Sequence, residues 1–419
     1  MPPVTLMIVG AGDRGFMYAG YAGKFPQEAK VVAVAEPRDT YRARLAAQHG
    51  ISSENVFSDW REAAARGRLA DAAVIATQDA MHAGPAVAFA GLGYHILLEK
   101  PMAVTEADCR RVVRAVTEAG VIFALGHVLR YTAYTRRLKA MIDSGAVGEV
   151  VSIQHLEPVG YWHQAHAFVR GNWRNTRESS FMLLAKSCHD LDWIRHIMGA
   201  TCRRVSSFGS LRHFRREFAP AGAAERCLDC SVESACPYSA VKIYLGQVRA
   251  GRKGWPASVV TDDLTEEGVT KALREGPYGR CVYRCDNDVV DNQVVNMEFE
   301  GGRTATFTMT AFHPGGDRKT RIFGTRGYIE GDGNTIRHSD FLTDKTETIQ
   351  ANAGAEGTVK SGHGGGDYGL ARSFLAAVAT NDPGKVLTGP AESLETHLMV
   401  FAAERSRLEG RVVDITINR

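Results

Sequence analysis

The chain has 419 residues, a formal net charge of +3, and 44% hydrophobic and 23% charged residues. That length accommodates two or three domains with sizeable cores, and the composition excludes a disordered or collagen-like chain. The small charge, with no basic stripe interleaved with aromatics, leaves no footprint for nucleic acid or an anionic membrane, and no apolar run is long enough to span a bilayer.

The N-terminus enters its first strand almost at once, without the charged segment, apolar core and cleavage site of a signal peptide. A cytoplasmic protein is expected. Val4–Val9 reads as a buried strand, followed by Gly10, Gly12 and Gly15 in the spacing G-x-G-x-x-G. A helix then runs towards Pro26, and Lys30–Ala35 is a second strand closing on Glu36. This strand–turn–helix–strand unit predicts a dinucleotide site. Gly10 turns the chain, Gly12 lets a pyrophosphate approach the backbone, and Gly15 permits close helix packing. Asp13 and Arg14 lie in the same turn, where free N–H groups face the phosphates. Glu36 suits the ribose hydroxyls and favours NAD over NADP, a preference that nearby Arg38 weakens.

Helices follow at Asp39–His49 and Asp59–Ala65, then a buried strand at Asp71–Ala76 that leads to Thr77 and His82. A helix to Gly91 precedes the strand Tyr94–Leu98 and the triplet Glu99-Lys100-Pro101. The capped helix Thr105–Ala119 and the strand Val121–Leu125 come next, then Gly126-His127. Alternating strands and helices predict a doubly wound parallel sheet, with ligands at the strands' carboxyl ends. Gly15, Glu36, Thr77, Lys100 and His127 fall there, and Thr77, His82, Glu99 and Lys100 join the expected cofactor contacts.

After Arg130 the pattern changes. Thr132–Ser144 reads as a helix, Val150–Leu156 as a strand, and Pro158–Arg177 as a loop rich in aromatics and histidine. Phe181–Met198 reads as a helix. Strands at Asp291–Glu300, Arg303–Ala311, Lys319–Gly324 and Gly327–Glu330 predict a large, mostly antiparallel sheet. A glycine cluster at Gly362–Gly369 contains His363, which can approach a ligand there, and Asp367, expected to cap the next helix. Two more helices, Leu370–Thr380 and Pro390–Leu408, lead to the terminal Val412–Ile415. The fold class is therefore α/β, with a Rossmann domain over residues 1–128 and an α/β domain with an open sheet over residues 129–419.

Five of the eight cysteines fall between Cys227 and Cys285, in an insertion spanning about residues 212–285. Cys227-x-x-Cys230 with Cys236 five residues beyond can wrap a tetrahedral ion, and a later cysteine can close it. A structural zinc held by Cys227, Cys230, Cys236 and Cys285 is expected, with Cys281 as the rival fourth ligand. An iron–sulfur cluster is the alternative.

The chain resembles the Gfo/Idh/MocA oxidoreductases. The resemblance rests on Gly10-Ala11-Gly12-Asp13-Arg14-Gly15, Glu99-Lys100-Pro101, Gly126-His127 with Arg130 and Tyr131, Gly145-Ala146-Val147-Gly148-Glu149-Val150, and Cys188-His189-Asp190-Leu191-Asp192. It implies a nicotinamide cofactor, a sugar or polyol substrate, and homodimers or homotetramers paired through the open sheet. Lys100 would stabilise the alkoxide formed as a hydride leaves. His189 would take the hydroxyl proton, with Asp192, one helical turn on, orienting it or facing outward.

Many family dehydrogenases carry an Asp four residues before the helix histidine, and here that position is Ala185. Its neighbour Lys186 suits an anionic substrate if it faces the pocket. The departure points to relatives that hydrolyse glycosides, sulfoquinovosides among them, by C3 oxidation, elimination, water addition and return of the hydride to the sugar. Such chemistry needs a base near C2, and Tyr131, His163, His166, His189 and His363 are candidates. Tyr161, Trp162 and His163 are placed to stack on and hydrogen-bond a sugar ring. A sugar dehydrogenase releasing NADH and a non-catalytic nucleotide sensor are the alternatives.

Overall fold

The structure is a computed structural model and describes residues 2–351 and 363–416. Six short strands, β1 (Val4–Val9), β2 (Ala29–Ala35), β3 (Val56–Phe57), β4 (Ala72–Ile75), β5 (His95–Leu98) and β6 (Phe123–Leu125), form a sheet of order β3-β2-β1-β4-β5-β6. Every pairing in it is parallel. The helices α1 (Asp13–Lys24), α2 (Asp39–His49), α3 (Trp60–Ala65), α4 (Ala83–Gly91) and α5 (Glu106–Glu118) cover its two faces. The strands are buried on both sides, which explains why they read as unbroken apolar runs. The order reverses between β1 and β4, and the crevice at that switch point is where such a sheet binds ligands.

The helix α6 (Ala133–Asp143) leads to β7 (Val150–Pro158) and a second sheet. Its other members are β8 (Cys202–Ser210), β9 (Asn292–Phe299), β10 (Thr304–Thr310), β11 (Lys319–Gly324), β12 (Gly327–Gly331), β13 (Thr335–Asp340), β14 (Lys345–Gln350) and β15 (Val413–Asp414). The order is β14-β13-β12-β11-β7-β10-β9-β8-β15. β7 and β10 run parallel, and the other pairings are antiparallel. One face packs on the helix Cys188–Met198. The other exposes Val151, Phe208, Val294 and Phe323.

Two helices tie the sheets together. Gly366–Thr380 returns to the first sheet, where Leu370, Phe374 and Leu375 pack with Tyr18 and Tyr21. Pro390–Glu409 lays Met399 and Val400 on the second core, while Leu394 packs against the first. The insertion has its own core of Phe214, Tyr238, Tyr244, Leu273 and Tyr278, joined by Ala165 and Val169. Among the described residues no helix is long and apolar enough to cross a membrane.

The structure departs from sequence expectation at two places near the crevice. Pro158–Arg177 is not all loop: Tyr161–His163 is a helical turn that widens into a π-helix over Gln164–Arg170. The helix expected over Phe181–Met198 is broken. Met182–Ala185 ends at Lys186, and a new helix begins at Cys188. The break frees the carbonyl of Ala185 from the helical ladder for another partner.

Candidate active site

The glycine turn has the shape a dinucleotide needs. Gly10 has φ +91°, and a Cβ there would lie 2.6 Å from the carbonyl oxygen of Ala76. A Cβ on Gly15 would lie 1.9 Å from the oxygen of Gly10, so both positions require glycine. Nothing comes closer to a Cβ on Gly12 than Arg38 Nη2 at 3.5 Å, which leaves backbone open to a phosphate. Asp13 opens α1 and is exposed. Thr77 Oγ1 is buried and has no partner among the described residues. The cradle and the orphaned hydroxyl both fit a nicotinamide dinucleotide lying across the switch point.

Glu36 is buried and accepts from the Ala11 N–H at 2.7 Å and the Arg38 N–H at 3.0 Å. Arg38 also grips it with Nε at 2.7 Å and Nη2 at 3.0 Å, and lies over the Tyr41 ring. Burial pushes the carboxyl up, but these hydrogen bonds outweigh it and hold Glu36 below the usual carboxylate range. Its acceptor positions are filled, so a ribose must displace the guanidinium.

Two expected cofactor contacts serve the scaffold instead. Both ring nitrogens of His82 face carbonyl oxygens, Nδ1 to Pro101 at 2.6 Å and Nε2 to Thr77 at 3.1 Å, and the ring is buried. It clamps the ends of β4 and β5. Glu99 is buried and accepts from Arg14 Nε at 2.7 Å, Tyr18 at 2.8 Å and the Lys100 N–H at 3.1 Å. Arg14 also donates to Asp367 at 2.9 Å. Asp367 does not cap its helix, which starts at Gly366 without a side-chain cap. It holds His363 Nδ1 at 3.2 Å as well as Arg14. Burial opposes ionisation of Asp367, yet His363 and Arg14 bring it to about 2. Gly362 lies outside the described residues.

Lys100 projects from the end of β5 and donates to the freed Ala185 oxygen at 2.6 Å. His189, at the start of the helix after the break, is buried, and its Nδ1 has no partner among the described residues. Its ring centroid lies 5.9 Å from that of His127 and 5.7 Å from that of His363. Burial, then the charge of Lys100 and the neighbouring imidazoles, hold His189 well below its ordinary pKa, so it is neutral at pH 7.

Asp192 does not orient His189 or reach the crevice. It is buried and takes a two-pronged bond from Arg130, Nε at 2.8 Å and Nη2 at 2.7 Å, with Thr396 at 3.0 Å. His127 Nδ1 lies 2.9 Å from it. Arg130 and His127 outweigh the cost of burial and keep Asp192 ionised. Tyr131 is likewise no base: its phenol is buried against Thr388 at 3.0 Å and the Leu387 N–H at 2.9 Å, and burial pushes it up to about 12.

Lys186 is not a spare cation, because its ammonium pairs with Glu157 at 3.0 Å. Glu157 also meets Arg318 at 3.0 Å, and Arg318 pairs with Asp190, which His155 contacts at 3.1 Å. Sequence reasoning missed Glu157, Asp190 and Arg318. Two cations face two carboxylates, so this floor is balanced in charge. Trp173 Nε1 and Ser179 were missed too; they donate to Asp79 at 3.1 Å and 3.3 Å and dock the second domain beside Thr77.

The model of the oxidoreductase family's NAD-binding Rossmann fold matches residues 4–127, and that of its C-terminal alpha/beta domain matches residues 139–415. The chain belongs to the Gfo/Idh/MocA oxidoreductase family. It is therefore an enzyme of an NAD-dependent family, and NAD is its cofactor. The oxidoreductase YteT of Bacillus subtilis (strain 168) is 24% identical over 71% of this chain and 70% of its own. A 2,7-anhydro-N-acetylneuraminate hydratase of Mediterraneibacter gnavus is 30% identical over 50% of this chain, and one of Escherichia coli (strain K12) is 29% identical over 35%. The matches span only 53% and 39% of those two proteins. Among solved structures, levoglucosan dehydrogenase with NADH and levoglucosan superposes with a TM-score of 0.72 at 19% identity, over 99% of this chain and 100% of that one. That likeness is one of fold.

In this Gfo/Idh/MocA protein the turn Tyr161–His163 carries aromatic side chains that pack against the insertion. Trp162 lies 5.8 Å from His163 and 5.2 Å from Trp255, and Tyr161 faces the ammonium of Lys242. Burial, with Lys186 next, lowers His163 to about 3, which makes it a poor base. His166 points away into the insertion, where it is buried, bonded to the Tyr244 hydroxyl at 2.9 Å and stacked on Tyr278.

The expected zinc set is not assembled. Among the described residues no three His, Cys, Asp or Glu side chains stand close enough together to hold a metal ion. Cys285 turns its thiol to the Cys281 carbonyl at 3.3 Å. Cys227, Cys230, Cys236 and Cys281 instead line one small cavity with Arg170.

Proposed function

We propose that this enzyme hydrolyses a glycoside by oxidising the sugar transiently and reducing it again. The observation that carries this reading is His189, a neutral, buried imidazole beside Lys100 whose Nδ1 meets no partner, and on which no carboxylate sits, among the described residues. A proton taken up there creates an uncompensated buried charge, which favours prompt return to the substrate over export to solvent. Two relatives are named hydratases, and hydration is likewise without net redox change.

When bound, NAD would supply a hydride acceptor at C3 that can also serve as the donor for re-reduction. Gly10, Gly12 and the start of α1 receive its pyrophosphate, and Glu36 its ribose. The Lys100 ammonium stabilises the C3 oxygen as its proton passes to His189. The C3 ketone acidifies C2–H. His363, held by Asp367 through Nδ1, presents Nε2 as acceptor for that proton. The C1–O bond then breaks and the leaving group departs as an alcohol with the proton from His189. Water then adds at C1 with its spare proton passing to His189, His363 returns its proton to C2, and His189 would protonate the C3 oxygen as the ketone is reduced again, for net hydrolysis. The balanced Lys186–Glu157–Arg318–Asp190 floor gives a sulfonated sugar no advantage over a neutral one.

The deciding experiment incubates enzyme and NAD with a panel of aryl glycosides in deuterated water. Aglycone release without accumulating NADH, with deuterium at C2 of the product, is expected. Net NADH from a free sugar, without aglycone release, would make it a dehydrogenase. Neither signal across the panel would leave a nucleotide sensor.

We also infer that the cysteines lining this cavity, which stand too far apart here to ligate a metal, draw together on a structural zinc ion, with Cys281 replacing Cys285. Arg170 supports this: it is buried, its hydrogen bonds go to the oxygens of Arg280 and Tyr238 and to Cys227 Sγ, and among the described residues no carboxylate pairs with it. Four thiolates on a divalent ion would supply the missing negative charge. Mass-spectrometric metal analysis should show zinc in the purified protein and in Cys285→Ser but not in Cys281→Ser; equal zinc in both variants sinks the assignment. All eight cysteines are free, as suits a cytoplasmic protein. The cofactor-binding unit comprises residues 1–128 and the substrate-binding unit 129–419. A second copy would cover the open sheet face, and a monomer by light scattering would refute that.

A further inference from the structure

We propose that Trp255 and Trp162 form a stacking subsite for the substrate's leaving group, one ring beyond the reacting sugar. This rests on the glycoside reading above. Trp255 belongs to the cysteine-rich insertion, is 46% exposed, lies outside the insertion core, and reaches the ring of His163, which feels the charges of Lys186 and Lys100. Three rings hold it from the protein side. Trp162 lies 5.2 Å away at 59°, and His163 and His166 meet it edge-to-face at 5.1 Å and 5.3 Å. A tryptophan braced this way has a fixed orientation, so stacking on its free surface costs little ordering.

The helical turn Tyr161–His163 joins platform and reaction centre. Gly315 lies against the edge of Trp162. Gly315 and Gly316 pass it with φ +104° and +126°. A Cβ on Gly315 would reach no closer than 3.9 Å to Trp162 Nε1, and one on Gly316 would meet nothing within 4 Å. Lys242 beside Tyr161 adds a polar edge. An aryl group or second sugar, presenting a flat or C–H-bearing face, matches that chemistry. The insertion thus has a catalytic-site role separate from its cysteines: it selects what is attached to the sugar.

The test measures binding to NAD-loaded enzyme by calorimetry. The probes are methyl and 4-nitrophenyl glycosides of glucose, galactose, glucuronic acid and N-acetylneuraminic acid. For whichever sugar binds, the 4-nitrophenyl form should bind about three- to tenfold tighter than the methyl form. Trp255→Ala should remove that advantage and leave methyl-glycoside affinity unchanged, and Trp255→Phe should restore part of it. Equal affinity for both forms, or an aryl advantage that survives in Trp255→Ala, overturns the subsite while sparing the glycoside reading. No binding by any sugar overturns both. An altered oligomeric state in Trp255→Ala with unaltered aryl preference reassigns the patch to a subunit contact and also overturns the subsite.

Discussion

Lys100 donates its ammonium to the backbone oxygen of Ala185 across the crevice, 2.6 Å away. The bond joins the end of β5 to the helix break before His189, so the cation is held where both domains meet. Lys100→Met keeps much of the bulk and removes the charge. It should lower kcat by about 10²- to 10³-fold, as loss of one preorganised oxyanion donor does. NAD affinity, measured by fluorescence titration, should change little. Wild-type kcat in this variant would remove Lys100 from the chemistry.

The four hydrogen bonds that satisfy Glu36 make the cofactor preference adjustable. Arg38 must leave the carboxylate before a ribose can take its place. Glu36→Ala should weaken NAD by about 10- to 100-fold, the range for losing hydrogen bonds to a charged group. NADP should lose less, because Arg38 is then free to meet the 2′-phosphate. Calorimetry with both cofactors checks this, and an unchanged NAD-to-NADP ratio would show that Glu36 does not face the ribose.

Stability should fall on mild acidification. Burial lowers His163 to about 3, His166 to about 4 and His397 to about 3. Between those values and the ordinary histidine pKa near 6.5, the unfolded chain binds protons that the folded chain refuses. These groups leave stability intact above pH ~6.5 and erode it as pH drops towards 4. Asp190 and Asp367, each brought to about 2, act in the same direction but in a lower window, below their ordinary pKa near 3.8. Tm should therefore decline already between pH 6.5 and 4.5, before carboxylates contribute. A flat Tm across that interval would mean the histidines are not buried as neutral rings.

The cofactor half was legible because its chemistry is local. Gly10, Gly15 and Glu36 act within one βαβ unit, and Lys100 sits at a strand end marked by its own apolar run. The substrate half was not. Glu157, Asp190 and Arg318 meet only after the second sheet forms, with Asp190 and Arg318 128 positions apart in the chain. β8 and β13–β14 were missed because one is rich in small polar residues and β14 is almost wholly exposed, which blurs the alternation. Tyr131 and Asp192 misled in the opposite sense. Both lie next to motif residues, and nothing local reveals that Thr388 and Arg130 consume their polar ends.

Asp192 gives the sharpest contrast between a catalytic and a structural carboxylate. With Arg130, His127 and Thr396 around it, Asp192→Asn leaves the buried Arg130 guanidinium without its counter-charge. Breaking one side of such a pair costs about 3–5 kcal/mol, so Tm should drop by several degrees. Activity per folded molecule, measured well below the new Tm, should stay within about threefold of wild type, since no atom of Asp192 reaches His189 or the crevice. Replacing both partners, Arg130→Met with Asp192→Leu, removes both charges together and should recover part of the lost Tm. Activity lost in Asp192→Asn at unchanged Tm would instead place this carboxylate in the proton path.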